Sequence, residues 1–512
     1  MDAQGGQSRG SQALPGRAIP DRAAQWKLPG CLWLLLGAGL FTFIGWKFNV
    51  AFAAWAAPVF LIRFFRDTPR WPATLAAIPA LALASFIQLV GGWDLDAWMV
   101  VLVCFLRPAA FLLGLYADRA LGRPLPAAAA TLVFPAVSLA AEWGISLAPL
   151  GSGMATAATQ FAFPAVSQLA SITGIWGIGF LAAWTAAVLN TAWEHRRRLR
   201  DIRGTLVAWA VVILCVVGFG SARLGLAHSS APTVRVGAVT VPHPRDYWTW
   251  IDKGTPRDLI AGYAGELSAM EEQLFVQTER AADAGARVIF WSEGNGVVTE
   301  DNEARFMARA AELARRRQVY FAPAVVVLRY GSGISDNKLV MFSPDGSRSF
   351  TYVKTISWYP TGSDGILRTV DTPYGKIGAA ICFDMDFPGF IRRLGSLGAD
   401  IVLVPAYDKE KIRPYHTEVG LWRGIENGFS VVRQTNEGTS MAVDGAGRVL
   451  ARQEFFETTD RLMLSDVPTR RLLTPYALLG EWFPWAGAAL AIALIAWGIA
   501  RGIAPRISPR SR

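Results

Sequence analysis

The chain has 512 residues, of which 52% are hydrophobic and only 18% charged, and it carries a formal net charge of +10. That composition is too apolar for an ordinary soluble enzyme and directs attention to the membrane. The basic excess does not mark a nucleic-acid-binding protein, because the arginines flank apolar segments instead of forming a basic aromatic face.

Residues 1–27 form a polar tail. About 20 mainly apolar residues are needed for a membrane-spanning helix. Windows of that size predict spans at 28–46, 49–65, 71–91, 97–117, 125–147, 168–192 and 205–226, and an eighth within 479–500. The second of these is short, and the fifth contains Pro126 and Pro135. The first apolar run is too long for a signal peptide and is followed by others. Positive charge gives an independent count, since Lys and Arg concentrate in short cytoplasmic loops. Arg9, Arg17, Arg22 and Lys27 precede the first span, and Arg63, Arg66 and Arg70 separate the second from the third. Arg119 and Arg123 follow the fourth, Arg196, Arg197, Arg198, Arg200 and Arg203 the sixth, and the basic tail 501–512 the last. The intervening connections at 91–97 and 148–160 contain neither Lys nor Arg. About eight transmembrane helices, both termini in the cytoplasm, and a polar region at 230–475 outside it satisfy this alternation.

Within 230–475 short β-branched runs alternate with amphipathic stretches, the pattern of an α/β domain. Strands are predicted at 233–241, 286–294 and 319–328, with helices at 258–284 and 303–318 between them. Residues 338–354 read as a hairpin around Pro344-Asp345-Gly346. A sharp bend and helix follow Cys382, then a strand at 399–406, a helix containing "LWRGIENG" and two strands around "VDGAGRVL".

Four cysteines are present, and Cys31, Cys104 and Cys215 lie in apolar runs where a thiol behaves as a small hydrophobe. No CxxC spacing points to a metal, and no cofactor is called for. Cys382 differs: in "AAICFDMDFPG" it ends a strand at a bend that would expose it. Glu293 and Lys354 also fall at strand ends. A cysteine with a free pKa near about 8.5 needs a base. A carboxylate among apolar neighbours such as Phe290 and Trp291 suits that role, and an ammonium beside it stabilises a thiolate or an oxyanion. Glu293, Lys354 and Cys382 are therefore the candidate catalytic residues. His416 reads as a surface or helix-start histidine rather than a partner for the cysteine. Trp358, Tyr359 and Trp422 line lipid access or fill core; the residue types do not separate these.

"FWSEG", "YVK", "AAICFDMDFP" with "GADIVLVPA", and "RGIENGFSVVRQTNEGTSMAVDGAGRVL" resemble the successive motifs of the carbon-nitrogen hydrolase (nitrilase) superfamily. That resemblance implies an αββα sandwich and a Glu-Lys-Cys catalytic set at Glu293, Lys354 and Cys382. "FPAVSLAAEWG" and "QLASITGIWGIGFL" resemble segments of the apolipoprotein N-acyltransferase branch, which combines an eight-span membrane body with an extracytoplasmic nitrilase domain. The resemblance implies a bacterial cytoplasmic membrane, a phospholipid acyl donor and a diacylglyceryl-modified lipoprotein acceptor. A membrane-anchored amidase or nitrilase, and a non-catalytic lipid-binding homologue, are the alternatives. The sequence departs from the branch in three places: Lys354 is followed by no Glu before residue 410, Asp384 stands where the branch commonly has Glu, and the strand after Cys382 ends in "VPAYDKEK" where the branch usually reads Asn-Asp-Ala-Trp-Phe-Gly. Asp364 and Asp384 are thus candidate supporting carboxylates. Glu142, an acid inside an apolar segment, is a third supporting candidate with an expected partner.

Overall fold

The computed structural model describes residues 30–92, 97–148, 150–226, 231–244, 261–330, 336–357 and 361–503. The polar tail 1–27, Trp358, Tyr359 and most of the basic tail lie outside the described residues. The membrane part is built from helices Gly30–Phe41, Ala53–Asp67, Arg70–Leu89, Ala97–Leu121, Ala127–Ser146, Trp176–Glu194 and Arg203–Leu226, joined by Trp482–Ile503 from the end of the chain. Among the described residues five helices are long and apolar enough to cross a bilayer, and a bent pair, Pro164–Thr173 with Trp176–Glu194 at 118°, makes a sixth.

The predicted count of eight is not reproduced by length and composition. The segments expected at 28–46 and 49–65 form helices of 12 and 15 residues. The chain turns between them at Gly45, whose φ of +91° favours glycine. The two helices then pack so closely that a Cβ on Gly37 would lie 2.7 Å from Leu61. Phe41 of the first and Leu61 and Ile62 of the second share one apolar cluster. The predicted continuous helix 168–192 is broken at Gly174, where φ is +66°, and its upper part folds back. The neutral connection at 148–160 is not an open loop either. It forms the short 3₁₀ turns Ser152–Met154 and Thr156–Ala162, with Ser152 to Gln160 buried.

Ion pairs and hydrogen bonds tie together the helix ends beside three of the basic connections. Arg66 reaches Asp118 at 2.7 Å and Glu194 at 3.2 Å, Arg63 reaches Glu194 at 2.6 Å, and Arg119 donates to the carbonyls of Phe65 and Thr68.

The remaining chain forms strands β1 Thr233–Val239, β2 Val288–Trp291, β3 Gly296–Thr299, β4 Tyr320–Ala322, β5 Ala324–Leu328, β6 Asp336–Phe342, β7 Arg348–Val353, β8 Thr369–Thr372, β9 Gly375–Ala379, β10 Ile401–Tyr407, β11 Ser430–Asn436, β12 Thr439–Val443, β13 Val449–Glu454 and β14 Leu462–Pro468. One sheet has the order β14-β1-β2-β4-β6-β5-β3 with β7 beside β6, and the other β13-β12-β11-β10-β9-β8. Period-two alternation decides the layers. Val288 and Phe290 face the second sheet, whereas Ile289 and Trp291 face helices Ala264–Asp283 and Glu303–Arg317. Helices Pro388–Ser396 and Tyr415–Asn427 cover the second sheet, through Ile391, Leu394 and Leu421. The result is an αββα sandwich.

The sequence reading did not place β3, β8, β11 or β14. Of these, β14 pairs antiparallel with β1 across more than half the domain, a long-range pairing that local periodicity cannot announce. Pro323, which divides the predicted strand 319–328 into β4 and β5, has no amide to give a ladder.

Helix Tyr415–Asn427 joins the two parts. All its residues except Glu418 are buried. Trp422 Nε1 donates to the Ala158 carbonyl at 3.0 Å, Tyr415 Oη to the Gly153 carbonyl at 2.7 Å, and the Ile175 amide to Glu426 Oε1 at 3.1 Å. Trp422 is therefore core between the sandwich and the helical body. Glu142 holds the same surface: Oε2 accepts from the Thr156 amide at 3.1 Å and Oε1 from the Thr156 hydroxyl. Its partner is the folded connection.

Candidate active site

Glu293, Lys354 and Cys382 meet at the ends of three strands, where the two sheets face each other. Glu293 lies two residues beyond β2 and is 2% exposed. Its Oε1 accepts from Lys354 Nζ at 2.6 Å and from Asn337 Nδ2 at 2.7 Å, and its Oε2 accepts from the Tyr407 amide at 3.1 Å. Lys354 follows β7 directly, and its amide donates to the Asn337 carbonyl at 2.8 Å, which fixes where the side chain begins. The hairpin β6-β7 thus supplies two of the three donors on the Glu293 carboxylate.

Cys382 lies three residues past β9, at the first position of a 3₁₀ turn, Cys382–Asp386. Its φ is +48°, a left-handed conformation that is uncommon for a residue with a Cβ and that clusters at functional turns. The bend predicted from sequence is present, but the exposure is not: the residue is only 5% exposed. The membrane connection closes against the turn, since a Cβ on Gly151 would lie 2.9 Å from Asp386 Cβ. Cys382 Sγ lies 3.4 Å from the Tyr407 carbonyl. Burial, then the Glu293 carboxylate, raise the thiol's pKa, while Lys354 and Arg433 act to lower it. The thiol is held protonated and needs a base to ionise. Burial opposes charge on Lys354, but Glu293 and Cys382 outweigh it and raise its pKa, so the ammonium persists.

The supporting carboxylates divide. Asp384 is fully buried, accepting from the Tyr352 hydroxyl at 2.7 Å, the Ile381 amide at 2.9 Å and the Ile356 amide at 2.7 Å. Burial raises its pKa to about 6, against the pull of those hydrogen bonds. It clamps the chain after Lys354 to the chain before Cys382. Asp364 does not reach the site: it is exposed and pairs with Arg368 four residues on, as a local turn carboxylate does. Glu142 lies in the helical body and acts on the connection described above.

A second charged group was not foreseen. His416 is 3% exposed, in the first turn of its helix, so the surface reading is wrong although the helix-start reading is right. Nδ1 lies 2.5 Å from Asp408 Oδ1 and Nε2 lies 3.2 Å from Asp386 Oδ1. Arg433 Nη2 donates to Asp408 Oδ1 at 2.9 Å. One ligand atom each from Cys382, Asp408 and His416 falls within 4.8 Å of the others, a spacing that suits a metal ion. However, Asp408 is already bound by a guanidinium and an imidazole, and a fixed cation at Arg433 disfavours a second one. The set reads as a charge network. Asp408, one residue beyond β10, obeys the same strand-end logic as Glu293 and was findable by it; Arg433 lies within β11, a strand the sequence reading did not place.

Residues 244–471 match the carbon-nitrogen hydrolase family. The C-terminal half of this chain carries a carbon-nitrogen hydrolase domain. Similarity to curated proteins extends into the helical body. An apolipoprotein N-acyltransferase of Geobacter metallireducens is 24% identical over 406 residues, covering 70% of this chain and 73% of the relative. One from Azotobacter vinelandii is 24% identical over 378 residues, covering 67% and 68%. Among solved structures, an amidase from Nesterenkonia sp. is 18% identical with a TM-score of 0.35, covering 47% of this chain and 93% of its own. The carbon-nitrogen hydrolase domain is thus joined to a multi-pass helical body in one chain.

Proposed function

We propose that this protein is an N-acyltransferase that moves an acyl chain from a phospholipid, through a thioester on Cys382, to the free amine of a diacylglyceryl-cysteine lipoprotein. The observation that carries this reading is the convergence of Glu293, Lys354 and the thiol of Cys382 in a domain whose covering helix rests on apolar membrane helices. Similarity to apolipoprotein N-acyltransferases over most of the chain supports the choice of donor and acceptor. The proposed location is the cytoplasmic membrane of a bacterium with the sandwich on the outer side, which the neutral connection against the Cys382 turn supports.

In this reading Glu293 takes the thiol proton and the thiolate attacks the ester carbonyl. Lys354 stabilises the oxyanion of the tetrahedral intermediate. The intermediate collapses with cleavage of the ester C–O bond, and Glu293 returns its proton to the departing lysophospholipid oxygen. A thioester remains on Cys382. The lipoprotein amine then attacks the thioester carbon and gives a proton to Glu293. The C–S bond breaks, the amide leaves, and the proton passes back to Cys382. Glu293 relays each proton, the one from the amine restores the Cys382 thiol, and the reading calls for no metal or organic cofactor.

Purified protein mixed with phospholipid carrying a labelled acyl chain and a diacylglyceryl-cysteine peptide tests the assignment. The label is expected on the peptide α-amine. Label recovered only as free fatty acid, at a rate indifferent to the peptide, would make the protein a hydrolase and contradict the acyltransferase reading.

A further inference from the structure

Two sets of charges reach Cys382, one from each sheet. Glu293 and Lys354 come from the first sheet and form one ion pair. Asp408 and Arg433 come from the second, and His416 joins them from the helix that covers it. Arg433 is fully buried, and its Nε and Nη1 have no hydrogen-bond partner, although Nη2 is committed to Asp408. Evolution of a stable core alone does not explain a buried guanidinium with two unused donors, because each unsatisfied group costs free energy. Such a group is explained if a negative charge forms beside it during function.

We propose that Asp408, His416 and Arg433 form a second electrostatic centre for Cys382, in which His416 is a positioning residue that favours the thiolate and the charged intermediates derived from it. The inference rests on the reading of Cys382 as nucleophile and goes beyond the Glu-Lys-Cys set. The groups facing His416 are Asp408 at the end of β10, Asp386 on the Cys382 turn, Arg433 on β11 and Cys382 itself. With the histidine charged, the two aspartates and the two cations cancel, and no net charge opposes the thiolate. Burial disfavours the imidazolium, but Asp408 and Asp386 outweigh it and raise His416 to about 9. The sign follows: His416 is charged below that value, and its support for the thiolate is lost as pH rises through it.

The same geometry assigns Asp386 a double part. It holds His416 Nε2 and sits against Gly151 and Gly153 of the membrane connection, so the histidine's charge depends on how the helical body meets the turn.

The test is the pH dependence of Cys382 alkylation by iodoacetamide in the full-length protein, followed at the Cys382 peptide by mass spectrometry so that the other three cysteines do not contribute. His416→Gln is expected to move the alkylation midpoint upward by about one pH unit, a roughly tenfold loss of rate at neutral pH. Asp386→Asn keeps a hydrogen-bonding group against the ring while removing one of its two counter-charges, and a smaller shift in the same direction is expected. Profiles of both variants that superimpose on the wild type would overturn the inference. Acyl transfer that survives Cys382→Ala would instead overturn the nucleophile reading on which it rests.

Discussion

Replacing Cys382 by alanine is expected to abolish acyl transfer, with a loss of about a thousandfold or more, while leaving the protein folded. The two halves of that expectation come from different observations. Glu293 and Lys354 both act on the Cys382 thiol, and their own hydrogen bonds are made to each other, to Asn337 and to the Tyr407 amide. Removing a covalent nucleophile from a set that acts as a unit costs several orders of magnitude, not a fraction of the rate. The structural cost is small by comparison. Sγ makes one long contact, with the Tyr407 carbonyl at 3.4 Å, and its loss leaves a void of one atom, worth about 1 kcal/mol. Alanine at φ +48° is no worse tolerated than cysteine. Label transfer and thermal unfolding of the same preparation separate the two. Transfer that survives the substitution would remove the thioester from the mechanism.

Glu293→Gln is the second large effect, and its sign differs between two assays. The amide cannot accept the thiol proton, so turnover falls by about 10²–10⁴-fold, the usual contribution of a positioned general base. Glutamine also meets the wrong neighbours. Lys354 and Asn337 donate to one oxygen and the Tyr407 amide to the other, so one end of a neutral amide must place its own donor against a donor. Alkylation of Cys382 should nevertheless become easier at neutral pH. After burial, the Glu293 carboxylate is the largest influence raising the thiol's pKa, and Lys354 and Arg433 remain to lower it once that charge is gone. A variant that loses turnover yet gains thiolate is the signature of a base. Equal losses in both assays would make Glu293 a structural anchor for Lys354.

The sequence carried much of this site because strand ends are legible. Each of Glu293, Lys354 and Cys382 follows a short run of β-branched, aromatic or small apolar residues, and the sandwich delivers those ends to one place. The membrane body was read less well, for a physical reason. Apolar windows measure composition and are blind to a positive-φ glycine, so Gly174 divides what hydropathy joins, and the first predicted span runs on into the turn at Gly45. The network at His416 was missed because its helix is buried on both sides, against the second sheet and against the helical body. A helix in that position has no exposed stripe, and polar residues such as His416, Thr417 and Arg423 then look like a solvent face. The signal was the company they keep: Tyr415, Leu421, Trp422 and Ile425 leave no continuous polar side. Asp364 illustrates the opposite error, in which correct spacing from Lys354 ended in a surface pair with Arg368.

Asp384 marks where the chain departs from the branch it resembles, and the structure gives the shorter carboxylate a full set of donors. Three bonds of 2.7–2.9 Å tie it to Tyr352, Ile356 and Ile381, and so tie the lysine loop to the cysteine turn. The departure therefore leaves the geometry of the trio intact.

The central claim, a covalent acyl intermediate on Cys382, is tested most directly by the mass of the Cys382 peptide after the protein is incubated with phospholipid and no acceptor. The expected result is an added acyl group at Cys382, in place of the thiol hydrogen, that disappears when a diacylglyceryl-cysteine peptide is supplied and appears on that peptide's amine. An unmodified Cys382 in a preparation that still acylates the peptide would contradict the account.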